Sequence, residues 1–459
     1  MIPAHALRIL FLVLLLLLGV FSTACGGGDD DDDDASASDD DVTDDDTTDD
    51  DTTDDDTSDD DDTSDDDVTD DDTADDDTSD DDTSDDDTSD DDTADDDTSD
   101  DDTGDDDDDD VVPVECDEVS FVRGPYLQDV TQETIRVMWR TDAAGNSVVE
   151  YDEDETLDER VVDNELTDKH DLQLTGLAPG TSYNYRADSC GVKSSTADFS
   201  TAPVWGTPFK FAVIGDTQDH PEVHTQVAAA ALDWRPNILL HVGDLVGDGW
   251  RKGDYDTEYF TPAADLLQRT TVFPSVGNHD ANSPYYFDSF HYPGNGKWGY
   301  YSFTYSNVFF IALNTTWLYY PGSHQYRWLI EQLESDAAAD ADWVIVYAHH
   351  PPYCEGWEGY DGEWMVRQFL VPVFEDYGID FYFSGHTHDY ERGNLNGVNY
   401  IISGGGGGSL DDVQVRDYEH VTVWAGVHHF TGVTVDGKTL TLKAYDLDDK
   451  EIDSYTITK

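Results

Sequence analysis

The sequence predicts a layered α/β domain preceded by an all-β sandwich and, before that, a disordered acidic linker. Residues 29–110 contain 52 aspartates and neither a basic nor an aromatic residue, so this segment cannot bury apolar surface to offset its ordering entropy. Residues 117–203 contain short segments in which apolar and polar residues alternate, as is typical of strands. From residue 209 onward, apolar strand-like segments alternate with helix-like ones, which predicts the layered α/β fold.

The charge balance excludes one broad class of function. The chain has 459 residues and a formal net charge of −85, from 107 acidic against 22 basic residues. Proteins that bind phosphate backbones do so through Lys and Arg, which displace counterions. We therefore expect no nucleic-acid partner. The residues after the acidic tract are numerous enough for about two domains.

The first 25 residues are typical of an export signal. Arg8 precedes an apolar run, Ile9–Val20, which is too short to span a bilayer. The small residues before Cys25 resemble a bacterial lipobox, in which the cysteine is acylated. We therefore expect residues 1–25 to be a lipoprotein signal peptide and Cys25 to be a lipid anchor in the outer membrane or at the cell surface. Secretion, or a periplasmic location, is the alternative.

Residues 26–110 are predicted to be a disordered tether. From about Thr43 to Thr103 a unit of three aspartates followed by Thr and a small residue recurs roughly every five positions, a period far shorter than that of any solenoid repeat. Repulsion between like charges extends such a chain. The alternative is calcium capture by the carboxylates, although the repeats lack the glycine that a tight oxygen-ligand loop requires.

The remaining cysteines, Cys116, Cys190 and Cys354, suit an oxidising compartment. Cys116 and Cys190 flank the predicted β domain, so we favour a disulfide between them. Cys354 would then be a free thiol. Three candidates also allow other pairings.

The β domain is placed at residues 111–204. Thr134–Arg140, Ser147–Tyr151, Leu172–Leu174 and Ser182–Arg186 have strand-like patterns, and no helical period is present. This pattern predicts an antiparallel sandwich. Trp139 and the tyrosines are interpreted as core residues rather than as a sugar-binding surface.

Candidate chemistry lies in residues 209–393. Five apolar strand-like segments each end in a short polar motif, namely Gly215-Asp216, Gly243-Asp244, Gly277-Asn278-His279-Asp280, His349-His350-Pro351-Pro352 and Gly385-His386-Thr387-His388. Helix-like stretches lie between them, at 223–232, 258–268 and 326–333. In layered α/β folds the loops at the carboxyl ends of strands meet at one edge of the sheet.

These residue types point to metal ions. Aspartate, asparagine and neutral histidine are ligands of Zn²⁺, Mn²⁺ and iron. Six such residues are too many for one tetrahedral catalytic zinc, but a carboxylate shared between two ions accounts for the number. Paired divalent or mixed-valence ions can activate water and neutralise a phosphoryl group during an in-line displacement.

The order and spacing of these motifs resemble the calcineurin-like metallophosphoesterase family. With Arg123-Gly-Pro-Tyr-Leu-Gln128, Leu174-Thr-Gly-Leu-Ala-Pro-Gly-Thr181 and Gly385-His-Thr-His-Asp-Tyr-Glu-Arg392, the chain is most similar to purple acid phosphatases, which have a fibronectin-III-like N-terminal domain. The resemblance implies a metallophosphoesterase domain at 205–459.

The resemblance also implies roles for individual residues. The first metal ion would be bound by Asp216, Asp244 and His388. The second would be bound by Asp244, Asn278, His349 and His386, so that Asp244 bridges the two ions. His279 would contact the phosphate or protonate the leaving oxygen, and His350 is interpreted as a rim residue rather than a ligand.

Two positions depart from the family pattern. Purple acid phosphatases carry a tyrosine three residues after the second-motif aspartate, where this chain has Gly247, and related enzymes often have a histidine where it has Gln218. Without that tyrosine no phenolate colour is expected, and the Gln218 carbonyl or water would fill the vacant ligand position. Phosphoprotein phosphatases place Asp and Arg where this chain has Gly247 and Asp248, which argues against protein phosphatase activity.

The remaining segments are predicted to have mainly structural roles, with one exception. We predict a hairpin from 301–305 and 308–313, packed by the aromatic stretch Ser283–Tyr301, and a flexible turn at Gly404–Gly408. The tail Val421–Lys459 should complete a sheet. Loop Tyr353–Trp364 follows a proposed ligand directly and is the best candidate for substrate selection.

The sequence thus favours a surface-tethered, two-metal hydrolase of small phosphate esters, with monoesters preferred over diesters by analogy with the family. One alternative is a surface adhesion protein whose sandwich binds a glycan and whose metallophosphoesterase domain is inactive. Another is a calcium-responsive spacer protein.

Overall fold

The structure is a computed structural model that describes Cys116 and residues 118–459, apart from Asn295 and Lys297. The predicted signal peptide, Cys25 and the acidic tether lie outside the described residues. Within the described part of the chain, no helix is long and apolar enough to cross a membrane.

The first part of the described chain is β-rich, as predicted. Its six strands are β1 (Phe121–Gln128), β2 (Thr134–Asp152), β3 (Glu159–Thr175), β4 (Ser182–Ser189), β5 (Val192–Lys193) and β6 (Ala197–Ser200). The long strand β2 pairs antiparallel with β1, β3 and β4, and β4 pairs with β5 and β6. Trp139, Tyr185 and Phe199 are buried, which agrees with the prediction that the aromatic residues pack in the core.

A disulfide joins Cys116 to Cys190, with their Cα atoms 5.9 Å apart. It ties the first described residue to the turn between β4 and β5. The favoured pairing is therefore confirmed, and Cys354 is a buried free thiol.

The second part contains two mixed sheets. One has the order β19-β18-β17-β7-β8-β9 and the other the order β10-β11-β12-β13-β15-β14-β16. Their strands are β7 (Phe209–Ile214), β8 (Ile238–His241), β9 (Thr271–Pro274), β10 (Tyr301–Tyr305), β11 (Val308–Ala312), β12 (Trp343–Tyr347), β13 (Phe381–Ser384), β14 (Tyr390–Leu395), β15 (Val398–Ser403), β16 (Val421–Ala425), β17 (His429–Asp436), β18 (Thr439–Asp446) and β19 (Glu451–Thr458). The hairpin β10–β11 and the predicted completion of a sheet by the tail are both present.

The two sheets pack face to face through aromatic side chains. The ring of Phe211 on β7 lies 5.4 Å from that of Phe310 on β11 and 6.1 Å from that of Phe383 on β13. Strands β7, β8 and β9 are mutually parallel, as are β11, β12, β13 and β15. In each parallel set the carboxyl ends of the strands therefore lie at one edge of the sheet.

Helices connect the strands, although not always where predicted. They span Pro221–Trp234, Lys252–Asp254, Ala264–Leu267, Pro284–Ser289, His324–Leu333, Asp336–Asp340 and Val371–Tyr377, with π-helical turns at Tyr255–Phe260 and Val366–Leu370. The predicted helix at 258–268 is wrong as one element, because Pro262 has no amide proton to continue the hydrogen-bond ladder. The short helix from Pro284 was not predicted, although Ser283 caps it by accepting from the Tyr286 amide.

Arg123 joins the β-rich part to the α/β part. Only 5% of Arg123 is exposed. Its Nε lies 2.5 Å from Asp256 Oδ1, its Nη1 donates to Ser289 Oγ at 2.9 Å, and its guanidinium lies over the Phe260 ring. The Tyr126 hydroxyl donates to the Ser289 carbonyl beside it. The Arg123–Tyr126 segment, which carried the family resemblance, therefore forms the contact between the two parts.

Replacing Arg123 with alanine should destabilise the protein. We expect Arg123→Ala to lower the free energy of unfolding by about 2 kcal/mol, because Ser289 and the partly exposed Asp256 lose a charged partner. Urea denaturation measures this change. The control is Arg136→Ala, since the Arg136–Asp171 pair is more exposed and should contribute less than about 1 kcal/mol. Equal effects of the two variants would contradict the prediction.

Candidate metal centre

The five predicted motifs meet at the carboxyl edge of the strands. Asp216, Asp244 and His386 all have positive φ angles, of 58°, 54° and 72°. Residues other than glycine rarely adopt this conformation, which is concentrated at functional sites. The Asp216 amide donates to the Gly243 carbonyl, and the Gly385 amide donates to the His349 carbonyl. Backbone hydrogen bonds thus join the first motif to the second and the fourth to the fifth.

Three side chains converge on His349. Its Nε2 lies 2.8 Å from Asn278 Oδ1, 3.1 Å from His386 Nδ1 and 3.1 Å from Asp244 Oδ2. His349 is fully buried. Two imidazole nitrogens, an amide oxygen and a carboxylate oxygen therefore face one small volume.

A second group forms around Asp216. His388 Nε2 lies 3.8 Å from Asp216 Oδ1 and 3.3 Å from the Gln218 amide nitrogen. Oxygen atoms of Asp216 and Asp244 and a nitrogen of His349 lie within 4.8 Å of one another. Asp216 therefore links His388 to Asp244 and His349, and all six predicted ligand residues are brought together.

Hydrogen bonds determine which ring nitrogen carries the proton in two of the imidazoles. His349 Nδ1 lies 3.0 Å from the Val242 carbonyl oxygen, and His388 Nδ1 contacts the Ser409 carbonyl oxygen. A carbonyl oxygen only accepts, so Nδ1 carries the proton and Nε2 has a free lone pair when the ring is neutral. Burial, together with the neighbouring imidazoles His349 and His350, lowers the pKa of His386 to about 2, which keeps that ring neutral as well.

The electrostatics of the site fit a cation. Burial and then the nearby Asp244 carboxylate raise the pKa of Asp216 well above its usual value. Burial opposes ionisation of Asp244 too, but a positive charge beside it, which His349 supplies when protonated, lowers its pKa. Two neighbouring buried carboxylates surrounded by imidazole nitrogens form a donor set suited to divalent ions.

His279 and His350 border the cluster without belonging to the two groups. His279 is exposed; its amide donates to Asp244 Oδ1, and its Nδ1 lies 2.8 Å from the Gly247 carbonyl oxygen. His350 Nδ1 lies 2.9 Å from Thr315 Oγ1, and its ring is 4.5 Å from that of His386. A ring nitrogen of His350 lies close enough to His349 and His386 for the three to form a possible ligand group.

Sequence reasoning missed the part played by Asp280. This residue is fully buried. Its carboxylate accepts hydrogen bonds from the backbone amides of Gly277, Asp244 and Leu245, at 2.8, 3.0 and 3.0 Å. Asp280 therefore holds the second and third motifs together. The sequence feature that could have revealed this role is the position of Asp280 at the end of the Gly277–Asp280 motif.

The glycine run was also misjudged. Gly404–Gly408 is buried rather than a flexible turn. The Gly406 amide donates to the Gly215 carbonyl, and the Gly408 amide donates to the Asp216 carbonyl. A Cβ at Gly408 would come within 2.5 Å of the His388 ring. Five consecutive glycines allow this backbone to pack directly on the first and fifth motifs.

Carboxylates lie where the family tyrosine is missing. The Gly247 amide donates to Glu258 Oε2 at 2.8 Å, and a Cβ at Gly247 would be 2.9 Å from Asp219 Oδ1. The Gln218 side chain is buried, and its Oε1 has no hydrogen-bond partner. A buried carboxamide oxygen without a partner is costly, and this one belongs to the side chain that contacts His388.

Two facing mixed sheets with this set of side chains at their strand ends define a metallophosphoesterase domain. Residues 209–390 match the family model of the calcineurin-like phosphoesterases, and residues 125–209 match that of the purple acid phosphatase N-terminal domain. Residues 209–390 therefore carry a calcineurin-like phosphoesterase domain, preceded by a domain of the purple acid phosphatase N-terminal type.

Individual relatives agree with this assignment. Purple acid phosphatase 15 of Arabidopsis thaliana is 25% identical over 287 residues, which cover 52% of this chain and 53% of that protein. Acid phosphatase type 7 of Homo sapiens is 29% identical over 262 residues, which cover 49% and 56%. The chain thus spans about half the length of the curated relatives it matches.

A solved structure supports the fold. Purple acid phosphatase PPD1 from yellow lupin seeds superposes with a TM-score of 0.64 at 20% identity, covering 73% of this chain and 74% of that one. The predicted fold class is confirmed.

Removing one acceptor atom from Asp280 should loosen the site. We expect Asp280→Asn to lower the free energy of unfolding by about 1–3 kcal/mol, because an amide group would face backbone amides that need acceptors. Thermal and urea denaturation measure this change. Asp248→Asn is the control, since Asp248 is exposed and accepts one amide, from Trp250. A variant as stable as the wild type would show that Asp280 does not hold the motifs together.

Proposed function

We propose that this protein hydrolyses phosphate esters, monoesters in preference to diesters, with two metal ions bound at the site. The supporting observation is that Asp244 lies close to both groups of ligand-type side chains. Its Oδ2 is 3.1 Å from His349 Nε2, and one of its oxygens is within 4.8 Å of an oxygen of Asp216. The resemblance to purple acid phosphatases favours iron, zinc or manganese, and a small phosphorylated molecule as substrate.

The proposed ligands follow from the two groups. Asp216, Asp244 and His388 bind one ion, and Asp244, Asn278, His349 and His386 bind the other. Such a pair of ions activates water and neutralises the charge on a transferring phosphoryl group. The buried carboxylates and the fixed imidazoles hold this arrangement before substrate binds, so little reorganisation is needed during the reaction.

His279 is proposed to act on the substrate. Its Nδ1 contacts the Gly247 carbonyl oxygen, which leaves Nε2 for an incoming phosphate or the leaving oxygen. Its backbone amide is bonded to Asp244, so the ring is held beside the bridging carboxylate. An exposed imidazole in this position can bind a phosphate oxygen and protonate the departing group.

Gln218 is proposed as an additional ligand of the first ion. The two ends of a carboxamide can exchange by rotation of the group, which would place Oε1 next to His388 Nε2. An oxygen there would occupy the ligand position that the family tyrosine fills elsewhere.

The location of the protein is part of the proposal. The disulfide Cys116–Cys190 suits an exported protein. We place a lipoprotein signal at 1–25 with an anchor at Cys25, a tether at 26–110, the β-rich domain at 111–204 and the metallophosphoesterase domain at 205–459. The anchor would hold the protein at the outer membrane or cell surface.

Substitution of the central ligands should abolish activity. We expect Asp216→Ala and His349→Ala to reduce hydrolysis of a chromogenic phosphate ester by at least about a hundredfold, because each variant removes a ligand of the proposed ions. Kinetic assays measure this loss, and elemental analysis of the same samples measures bound metal. Circular dichroism establishes that the variants are folded.

The control is His291→Ala, because His291 lies near Asp129 and Asp171 of the β-rich part and should not affect turnover. Activity retained in the two ligand variants would contradict the assignment. A wild-type protein without bound metal and without turnover would instead favour the adhesion protein with an inactive domain.

Gln218 can be tested through metal content and colour. We expect Gln218→Ala to lose metal on dialysis about ten times more readily than the wild type, and Gln218→Glu to retain it, because the glutamate keeps an oxygen donor. The iron-loaded wild type should show no strong phenolate absorption band, since Gly247 replaces the tyrosine. Equal metal retention by all three proteins, or a strong phenolate band, would contradict this ligand set.

A further inference from the structure

We propose that the loop Tyr353–Trp364, here called the aromatic loop, is a rigid wall that receives a planar, uncharged leaving group of the phosphate ester. This inference rests on the proposed function and adds a substrate class to it. Trp357 and Tyr360 provide the wall, and Arg416 is the positioning residue that fixes it.

The two rings lie directly against a proposed ligand. The centroid of the Trp357 ring is 5.3 Å from that of His386, and the centroid of Tyr360 is 5.0 Å from it. The two aromatic rings are 5.1 Å apart. Trp357 nevertheless remains 40% exposed, so part of it is available to a ligand at the edge of the metal site.

The start of the loop is fixed by the fifth motif. Glu391 Oε1 accepts hydrogen bonds from the backbone amides of Glu355 and Gly356, at 2.6 and 3.2 Å. A Cβ at Gly356 would lie 2.1 Å from Asp389 Oδ2, so only glycine allows this approach. Because Asp389 and Glu391 follow His388 closely in sequence, the loop and the ligand motif are attached to each other.

A second segment holds the loop from the other side. The Glu355 carbonyl accepts from the amides of Val415 and Arg416, at 2.8 and 3.1 Å, and its carboxylate accepts from Gln414 and from the Tyr418 amide.

Arg416 completes this attachment. Its Nη1 donates to the carbonyl oxygens of Trp357 and Tyr360, at 2.6 and 2.8 Å. One guanidinium therefore holds both aromatic residues through their backbone. The wall is formed before any ligand binds, so less conformational entropy is lost on binding.

The chemistry of the wall selects the leaving group. Aromatic side chains bind planar groups by stacking or edge-to-face contact. The charged groups of the loop are acidic: Glu358 and Asp361 are exposed, and Arg367 is already paired with Asp361. A leaving group with further phosphates would meet this negative charge, whereas an uncharged aryl group would stack without repulsion.

Competitive inhibition by two phosphonates tests the proposal in the metal-loaded, full-length protein. Phenylphosphonate and methylphosphonate share the same anionic group and differ in the planar substituent, so their comparison does not depend on leaving-group reactivity. We expect phenylphosphonate to bind the wild type more tightly. Trp357→Ala should weaken phenylphosphonate about three- to tenfold, the size of an aromatic contact, and methylphosphonate less than about twofold. Arg416→Ala should likewise raise the ratio of the phenylphosphonate inhibition constant to the methylphosphonate inhibition constant.

Trp364→Ala is the matched control. Trp364 belongs to the same loop and is 52% exposed, but its ring packs on Phe369, so the ratio should stay at the wild-type value. An unchanged ratio in Trp357→Ala, or equal loss of both inhibitors, would overturn the inference while turnover of esters upheld the proposed function. Absence of turnover with every ester would overturn both.

Discussion

The site depends on one electrostatic constraint, the burial of Asp216 and Asp244 beside each other. One oxygen of each carboxylate and a ring nitrogen of His349 all lie within 4.8 Å of one another. Two like charges at about 4 Å repel by roughly 4 kcal/mol at an effective dielectric constant of about 20. A fold that keeps both groups out of water therefore favours a compensating cation between them.

Backbone hydrogen bonds at the strand ends hold the two carboxylates in place against that repulsion. Three backbone amides surround the Asp280 carboxylate, and the His386 amide donates to both oxygens of Asp216. Asp216, Asp244 and His386 adopt left-handed backbone conformations that the surrounding hydrogen bonds maintain. The strained turns and the buried charges thus stabilise one another only while the strand ends stay together.

The strand-end residues were predictable because their signal is local. Each buried strand is a short apolar run, and the polar residue that follows it stands out in the sequence. The glycine run and Asp280 act through contacts between distant segments, such as that of Gly406 with Gly215, and no periodic pattern reports such a contact. The helix predicted at 258–268 was wrong because the spacing of its apolar residues is helical, whereas Pro262 lacks the amide proton that a continuous helix needs.

The proposed role of the aromatic loop would allow substrate selection to differ between relatives that share the same ligand motifs. The proposed ligands extend from the ends of strands that the two sheets fix in place. Trp357 and Arg416 instead lie on segments that follow β12 and β15, and Arg416 holds Trp357 through its backbone carbonyl. Exchanging these two side chains would alter the wall while the backbone contacts of the ligand motifs stay in place. Gly247, close to Asp219, stands where the family resemblance implies a tyrosine, so the proposed ligand set would also differ within the same fold.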